Sequence, residues 1–254
     1  MSAATTWILL RGLTRETRHW GEFAQRLACC GDDVRSIDLP GNGLFASRRS
    51  PLSVDAYVDP VRAQAGGRGP YRVLAMSLGA MVAAAWAIRF PDEVERLVLV
   101  NTSMRPYSRA RERLRPSAWP ALVRVALDWR GDDPADGGNV AEPLIHALTC
   151  QRRDTLADDL ASWRAIRADA PVTRANALRQ LAAAARFRVV RMPRCPVLVL
   201  SSSGDRLVDP ACSARLARAW GATHVAHPWA GHDLPHDDPQ WLLDALHAWR
   251  PATV

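Results

Sequence analysis

The sequence predicts an α/β fold: a mostly parallel central sheet flanked by helices, with a helical segment inserted before the last strands. Three observations carry this expectation. Over the first hundred residues short apolar runs alternate with stretches of helical period, as strand–helix–strand crossovers require. From Met104 to Arg188 the alternation gives way to helical patterns separated by prolines, and it resumes at Val197. Between these, the apolar run Val73 to Ala75 meets Ser77 and passes at once into a helix-forming stretch.

Each element has its own signal. Thr5 to Leu10 is β-branched and apolar and ends at Arg11-Gly12-Leu13-Thr14; a helical pattern follows from Thr17 through Trp20, Phe23 and Leu27. Gly31-Asp32-Asp33 marks a turn, and Val34 to Asp38 reads as a strand running into Leu39-Pro40-Gly41-Asn42-Gly43, which cannot be helical. Ser53 to Ala65 suits a helix that the glycines from Gly66 to Gly69 and Pro70 break. The strand before Ser77, the helix Leu78 to Phe90 stopped by Pro91, and the strand Val94 to Val100 complete the first half. Residues 104–188 are expected to form a helical cap inserted in a core of residues 1–103 and 189–254, with breaks at Pro106, Pro116, Pro120, the Gly131-Asp132-Asp133-Pro134 turn, Pro143 and Pro171. Beyond it come a strand at Val197 to Leu200, a loop reaching Asp205, a helix from Pro210 to Trp220 and a short strand from Thr223 to Ala226. A loop from Gly231 to Pro235 and a helix from Pro239 to Trp249 follow.

A chain of 254 residues suits one α/β domain with an insertion. Its five cysteines are odd in number and lack CxxC spacing, so neither a disulfide framework nor a zinc site is predicted. With no charged region before the first apolar run and no long apolar stretch, the reading is a cytoplasmic protein without signal peptide or membrane span. All 33 basic residues are arginine, which with abundant alanine fits a GC-rich bacterial genome better than selection for polyanions. No basic run is interleaved with aromatics, so no nucleic-acid partner is expected.

The chemistry centres on Ser77. A tight strand-to-helix turn strains the serine backbone and needs small neighbours, here Ala75 and Gly79, two residues to either side. It lifts the hydroxyl to the strand's C-terminal edge and places the Leu78 N–H at a new helix N-terminus, where an oxyanion would form. A serine hydroxyl needs a base and a group that orients the base. Of seven histidines, His232 lies in a Gly-led loop after the last predicted strand, with His236 as its nearest competitor. Asp205, directly after the strand Val197 to Leu200, is the expected acid; Asp209 is its rival and is better placed to cap the next helix.

With those residues in place the chain resembles the α/β-hydrolase superfamily, and in particular the small capped serine esterases similar to pimeloyl-ACP methyl ester esterase. The resemblance rests on Leu9 to Leu13, Asp38 to Gly43, Ala75-Met76-Ser77-Leu78-Gly79, Arg89 to Val94, Gly204 to Val208, and Gly231-His232 with Asp238-Pro239 downstream. It covers the chain except the cap. It implies Ser77 as nucleophile, Asp205 as acid, His232 as base, and an oxyanion hole from the backbone N–H groups of Leu13 and Leu78. Two departures stand out: Arg11 replaces a histidine usual in the family, and Ala75 the first glycine of the turn.

These readings together predict a serine hydrolase that cleaves a carboxylic ester or thioester through an acyl-serine intermediate, with no metal or organic cofactor. Fifteen of the arginines against ten acids fall in residues 104–188. An acyl carrier protein is therefore one expected partner, received by arginines such as Arg109 and Arg113. Arg11, Trp119 and Trp163 are further candidate substrate contacts, with Trp129, Leu122, Leu148 and Leu160 as candidate walls of an acyl pocket. Two other readings stay open at this level: a lyase or C–C bond hydrolase on the same triad, and a catalytically silent binding protein of the same fold.

Overall fold

The computed structural model describes residues 6–66, 69–127, 129 and 141–250. Six strands, β1 (Thr6–Leu10), β2 (Asp33–Ile37), β3 (Tyr71–Met76), β4 (Val94–Val100), β5 (Val197–Ser202) and β6 (Thr223–His227), form one sheet in the order β2-β1-β3-β4-β5-β6. Every pairing is parallel. Successive side chains of a strand point to opposite faces, and here both faces are covered, so the central strands are apolar throughout. Ile8, Leu10, Val73, Ala75, Leu97 and Leu99 share one core with the helices α2 (Asp55–Ala65) and α3 (Ser77–Arg89). Trp7, Leu9, Leu74, Met76, Val98 and Val100 share the other with α1 (Glu22–Ala28) and α11 (Pro239–Ala248).

The expected elements are present, with small differences at their ends. The first helical pattern is split at Gly21 into a 3-10 turn, Thr17–Trp20, and α1. Gly21 takes φ +53, a left-handed value that an α-helix cannot hold. β6 lies at the sheet edge and, unlike the central strands, exposes four of its five residues.

Between β4 and β5 the chain leaves the sheet for α4 (Ala110–Arg113), α5 (Trp119–Leu127), α6 (Ala141–Thr149), α7 (Leu156–Asp169) and α8 (Arg174–Arg186). A β-bridge between Arg105 and Arg188, with the Val189 N–H donating to the Arg105 carbonyl at 2.9 Å, pinches the two ends of this excursion together. The Gly131 to Pro134 turn lies outside the described residues. After β5 come α9 (Ala211–Trp220), then β6, the short α10 (Leu234–Asp237) and α11. No helix among the described residues is long and apolar enough to cross a membrane.

Candidate active site

In an open parallel sheet the loops at the strands' carboxyl ends converge, and the candidate residues lie there. Ser77 opens α3 directly after β3 with φ +49, a left-handed conformation that a non-glycine residue adopts at a cost of about 1–3 kcal/mol. Close packing holds it so. A Cβ on Gly79 would come within 2.4 Å of the Arg11 carbonyl oxygen and 2.7 Å of that of Leu10, so the first turn of α3 touches the end of β1. A Cβ on Gly12 would sit 3.1 Å from Ser77 Cβ, which places the loop after β1 against the serine. Thr102 Oγ1 donates to the Ser77 carbonyl at 3.0 Å. No side chain caps α3, so its first N–H groups, Leu78 included, keep their donor capacity.

His232 and Asp205 are joined across two loops. His232 Nδ1 lies 2.7 Å from Asp205 Oδ2, and Asp205 Oδ1 accepts from the Leu207 and Val208 N–H groups at 2.8 and 2.9 Å. With both oxygens engaged the carboxylate cannot turn, and Nδ1 is assigned the proton, leaving Nε2 as the acceptor. Arg115 Nη1 donates to the Asp205 carbonyl at 2.9 Å. Burial alone would push the His232 imidazole down, but the Asp205 charge and hydrogen bond, with Asp233 beyond, carry it above its ordinary value of 6.5 against the opposing Arg11. At the end of β4, Asn101 Nδ2 donates to the His232 carbonyl at 2.8 Å and to the Ser202 hydroxyl at 2.9 Å.

Ser77 and His232 line one cavity of about 110 Å³, although no hydrogen bond joins them in this conformation. Its floor is Gly12, Leu13, Met76 and Ser77; Leu122, Val125, Trp129, Ile145 and Leu148 from the helical excursion roof it. A larger groove of about 590 Å³, lined by Arg115, Gln151, Arg206 and Trp229, runs outside it and shares Leu148 as a wall. It contains neither Ser77 nor His232, so the smaller cavity is the one where bond cleavage could occur.

Of the other sequence candidates, Arg11 lines the cavity, but its guanidinium is held by Asp233: Nη1 to Oδ1 at 3.0 Å and Nη2 to Oδ2 at 2.5 Å. Trp119 is 54% exposed and does not line the cavity. Trp163 is buried one layer behind, under the Arg15 guanidinium, whose carbon lies 4.2 Å from the ring centroid. Leu122, Leu148 and Trp129 are in the walls, and Leu160 is not. Arg109 is exposed at the start of α4, and Arg113 donates to the Ala184 and Ala185 carbonyls of α8. His236 sits against Asp159 rather than the cavity, and Asp209 Oδ1 accepts from the Ala211 N–H at the start of α9.

What braces the loop after β1 comes from segments far away in the sequence. Asp233 reaches Arg11 from the loop that carries His232. Gln180 of α8 accepts from the Thr14 N–H at 2.8 Å and donates to Asn42 Oδ1 at 2.7 Å, while Asn42 Nδ2 donates to the Arg15 carbonyl. Glu142 of α6 takes Arg15 at 2.8 Å. An acid directly after His232 and a glutamine beside the alanines of α8 were the available signals. Metal-ligating donors gather away from Ser77, at His146, Cys150 and His236.

Comparison with known proteins agrees with this architecture. Pimeloyl-[acyl-carrier protein] methyl ester esterase of Shewanella sp. (strain MR-7) is 32% identical over 151 residues, 58% of this chain and 52% of that protein, so the match spans about half of the relative's length. A Klebsiella pneumoniae (strain 342) protein named as the carbamate hydrolase RutD is 29% identical over 203 residues, 74% of this chain and 70% of its own. A thermophilic esterase from Thermogutta terrifontis superposes with a TM-score of 0.63 at 24% identity, covering 97% of this chain and 89% of the esterase, a likeness of fold alone. Residues 2–238 match the family described as serine aminopeptidase, S33. With that match and an all-parallel sheet carrying the strained serine at the end of β3, the chain belongs to this family of α/β hydrolases.

Proposed function

We propose that the protein is a serine hydrolase that cleaves a carboxylic ester or thioester of a short acyl group through an acyl-Ser77 intermediate. The observation that carries this is the Asp205–His232 pair at 2.7 Å opening on the same small cavity as the strained Ser77. His232 Nε2 takes the Ser77 proton as Oγ attacks the carbonyl carbon, and Asp205 holds the imidazolium that results. The Leu13 and Leu78 N–H groups receive the oxyanion, the alcohol or thiol leaves with the proton from His232, and water returned through the same base releases the acid. Residues 104–188 act as the cap, supplying the roof that excludes water. A cavity of about 110 Å³ is well below the volume that encloses a drug-sized ligand, which favours short acyl chains.

The leaving side of the substrate is assigned to the outer groove, where Arg115 and Arg206 would meet an anionic arm such as a carrier-linked phosphate ester. The relatives named for hydrolysis of an acyl-carrier methyl ester and of a carbamate support the substrate class.

Initial rates on p-nitrophenyl esters from acetate to palmitate, with fluorophosphonate labelling, test the reading. Turnover should peak at the short end, and Ser77→Ala should lose it by several orders of magnitude together with the label. Turnover that survives in Ser77→Ala, or a protein that neither labels nor turns over any ester, free or carrier-linked, would sink the proposal.

A further inference from the structure

Behind the cavity wall made by Ile145, Leu148 and Thr149, four metal-ligating side chains from three elements meet. His146 and Cys150 are four residues apart, and the Cys150 N–H donates to the His146 carbonyl at 2.8 Å, so the helical turn persists and both side chains share one face. His236 comes from α10, four residues after His232. The ligand atoms of these three residues lie within 4.8 Å of one another. From α7, Asp159 adds Oδ2 at 3.2 Å from His146 Nε2 and 2.9 Å from His236 Nε2.

We propose that His146, Cys150, His236 and Asp159 form a four-coordinate site for a divalent transition metal of the zinc class, clipping α6 and α7 to the segment that carries His232. Two imidazoles, a thiolate and a carboxylate are donors that favour such a metal over calcium or magnesium. Bonds of about 2.0–2.3 Å set neighbouring ligands of a tetrahedron about 3.3–3.8 Å apart. His146, Cys150 and His236 already lie within 4.8 Å of one another, and Asp159, 3.2 and 2.9 Å from the two imidazoles, has to turn toward Cys150 to complete that geometry. The charges balance: a thiolate and a carboxylate neutralise the dication, and the Cys150 proton passes to solvent on loading.

The surroundings are those of a supported site. His146 and Cys150 are buried, while the His236 and Asp159 side chains keep 14% and 15% exposure and give the metal its way in. Thr155 Oγ1 donates to Asp159 Oδ2 at 2.8 Å, and Asp237 Oδ1 lies 3.4 Å from His236 Nδ1, the outer carboxylate that orients a ligating imidazole. Arg153 Nη1 lies 3.3 Å from His146 Nδ1; loading puts the proton on that nitrogen, and the exposed guanidinium swings into solvent. The end of α6 is already bound to the base loop, since the Asp233 N–H donates to the Thr149 carbonyl and Asp237 accepts from the Gln151 and Arg152 N–H groups. A metal here would tighten an existing junction between the helical excursion and the base. Without a metal the same groups are a hydrogen-bonded cluster, and the two states differ in what they bind.

The test uses the full chain with the exposed Cys29 and Cys30 both changed to serine, stripped with a chelator and titrated with Co²⁺ and then Zn²⁺. One equivalent of Co²⁺ should give tetrahedral visible bands and a near-ultraviolet thiolate-to-cobalt charge-transfer band, which Zn²⁺ abolishes while raising the thermal midpoint. Cys150→Ser should remove the charge-transfer band, and His236→Gln should weaken Zn²⁺ binding by at least about tenfold. Absence of that band in protein retaining Cys150 would overturn the proposal whether or not the variants fold. So would Zn²⁺ binding equally tight in Cys150→Ser and His236→Gln. No outcome depends on ester turnover.

Discussion

Replacing Arg11 by methionine keeps aliphatic bulk beside Trp20 but deletes the guanidinium that holds Asp233 at 3.0 and 2.5 Å, in a pair whose side chains are 3% and 4% exposed. Asp233 is then a buried carboxylate without its counter-ion. Breaking a buried pair from one side costs about 3–5 kcal/mol, because the surviving charge keeps its desolvation penalty and loses its attraction. Asp233→Asn strands the guanidinium and should cost a similar amount. The double variant buries two neutral groups of similar size, so its loss should fall short of the sum of the single losses by about 3 kcal/mol. Denaturant unfolding of the four proteins at unchanged m-value measures this coupling. The Arg11→Met loss should also shrink as the pH falls and Asp233 takes up a proton. Since Arg11 precedes Gly12 and Asp233 follows His232, each single variant should lower kcat more than it raises KM. Additive losses, or a single-variant loss under about 1 kcal/mol, would show that the pair behaves like an exposed one and contributes no buried-charge coupling.

Two further outcomes are expected. In the proposed mechanism His232 must be neutral to act as base, and its imidazole is held above 6.5 by Asp205 and Asp233 against burial and Arg11, so the acid limb of kcat/KM should titrate above 6.5. Asp205→Asn should move that limb down, and a limb at or below 6.5 in the unaltered protein would contradict the balance of charges described. Gly79→Ala forces a methyl group to within 2.4 Å of the Arg11 carbonyl oxygen just past β1, a contact no rotamer can relieve, so it should destabilise the protein by about 1–3 kcal/mol and lower ester turnover. A variant with unaltered thermal midpoint and rate would show that strand and helix need not touch there.

The parallel sheet was legible in the sequence because its signals are local. A central strand buried on both faces must be apolar throughout, and helices on its flanks must show their own period, so β3, α3 and β4 stand out from Tyr71 to Val100 on composition alone. The Ser77 turn was legible for the same reason: an apolar run, a serine and a glycine two residues on describe a local backbone event. The loop positions of Asp205 and His232 followed from the order of strands.

What packs across the excursion could not be read in that way. Trp119 and Leu122 stand three residues apart on α5, and only the docking of that helix decides that Leu122 roofs the cavity while Trp119 stays 54% exposed. Arg11 reads in sequence as a substitution at an oxyanion loop; its partner lies 222 residues away. The cysteines show no metal spacing along the chain, yet Cys150 meets His146 and His236, with Asp159 against both imidazoles, once α6, α7 and α10 are packed together. Periodicity by itself determined where the strands and helices run and that the central strands are buried, because backbone hydrogen bonding and the apolar period act within a few residues. Which buried polar group faces which was decided only by the tertiary structure, since the loops and helix faces that choose those partners are set by contacts between segments far apart in the chain.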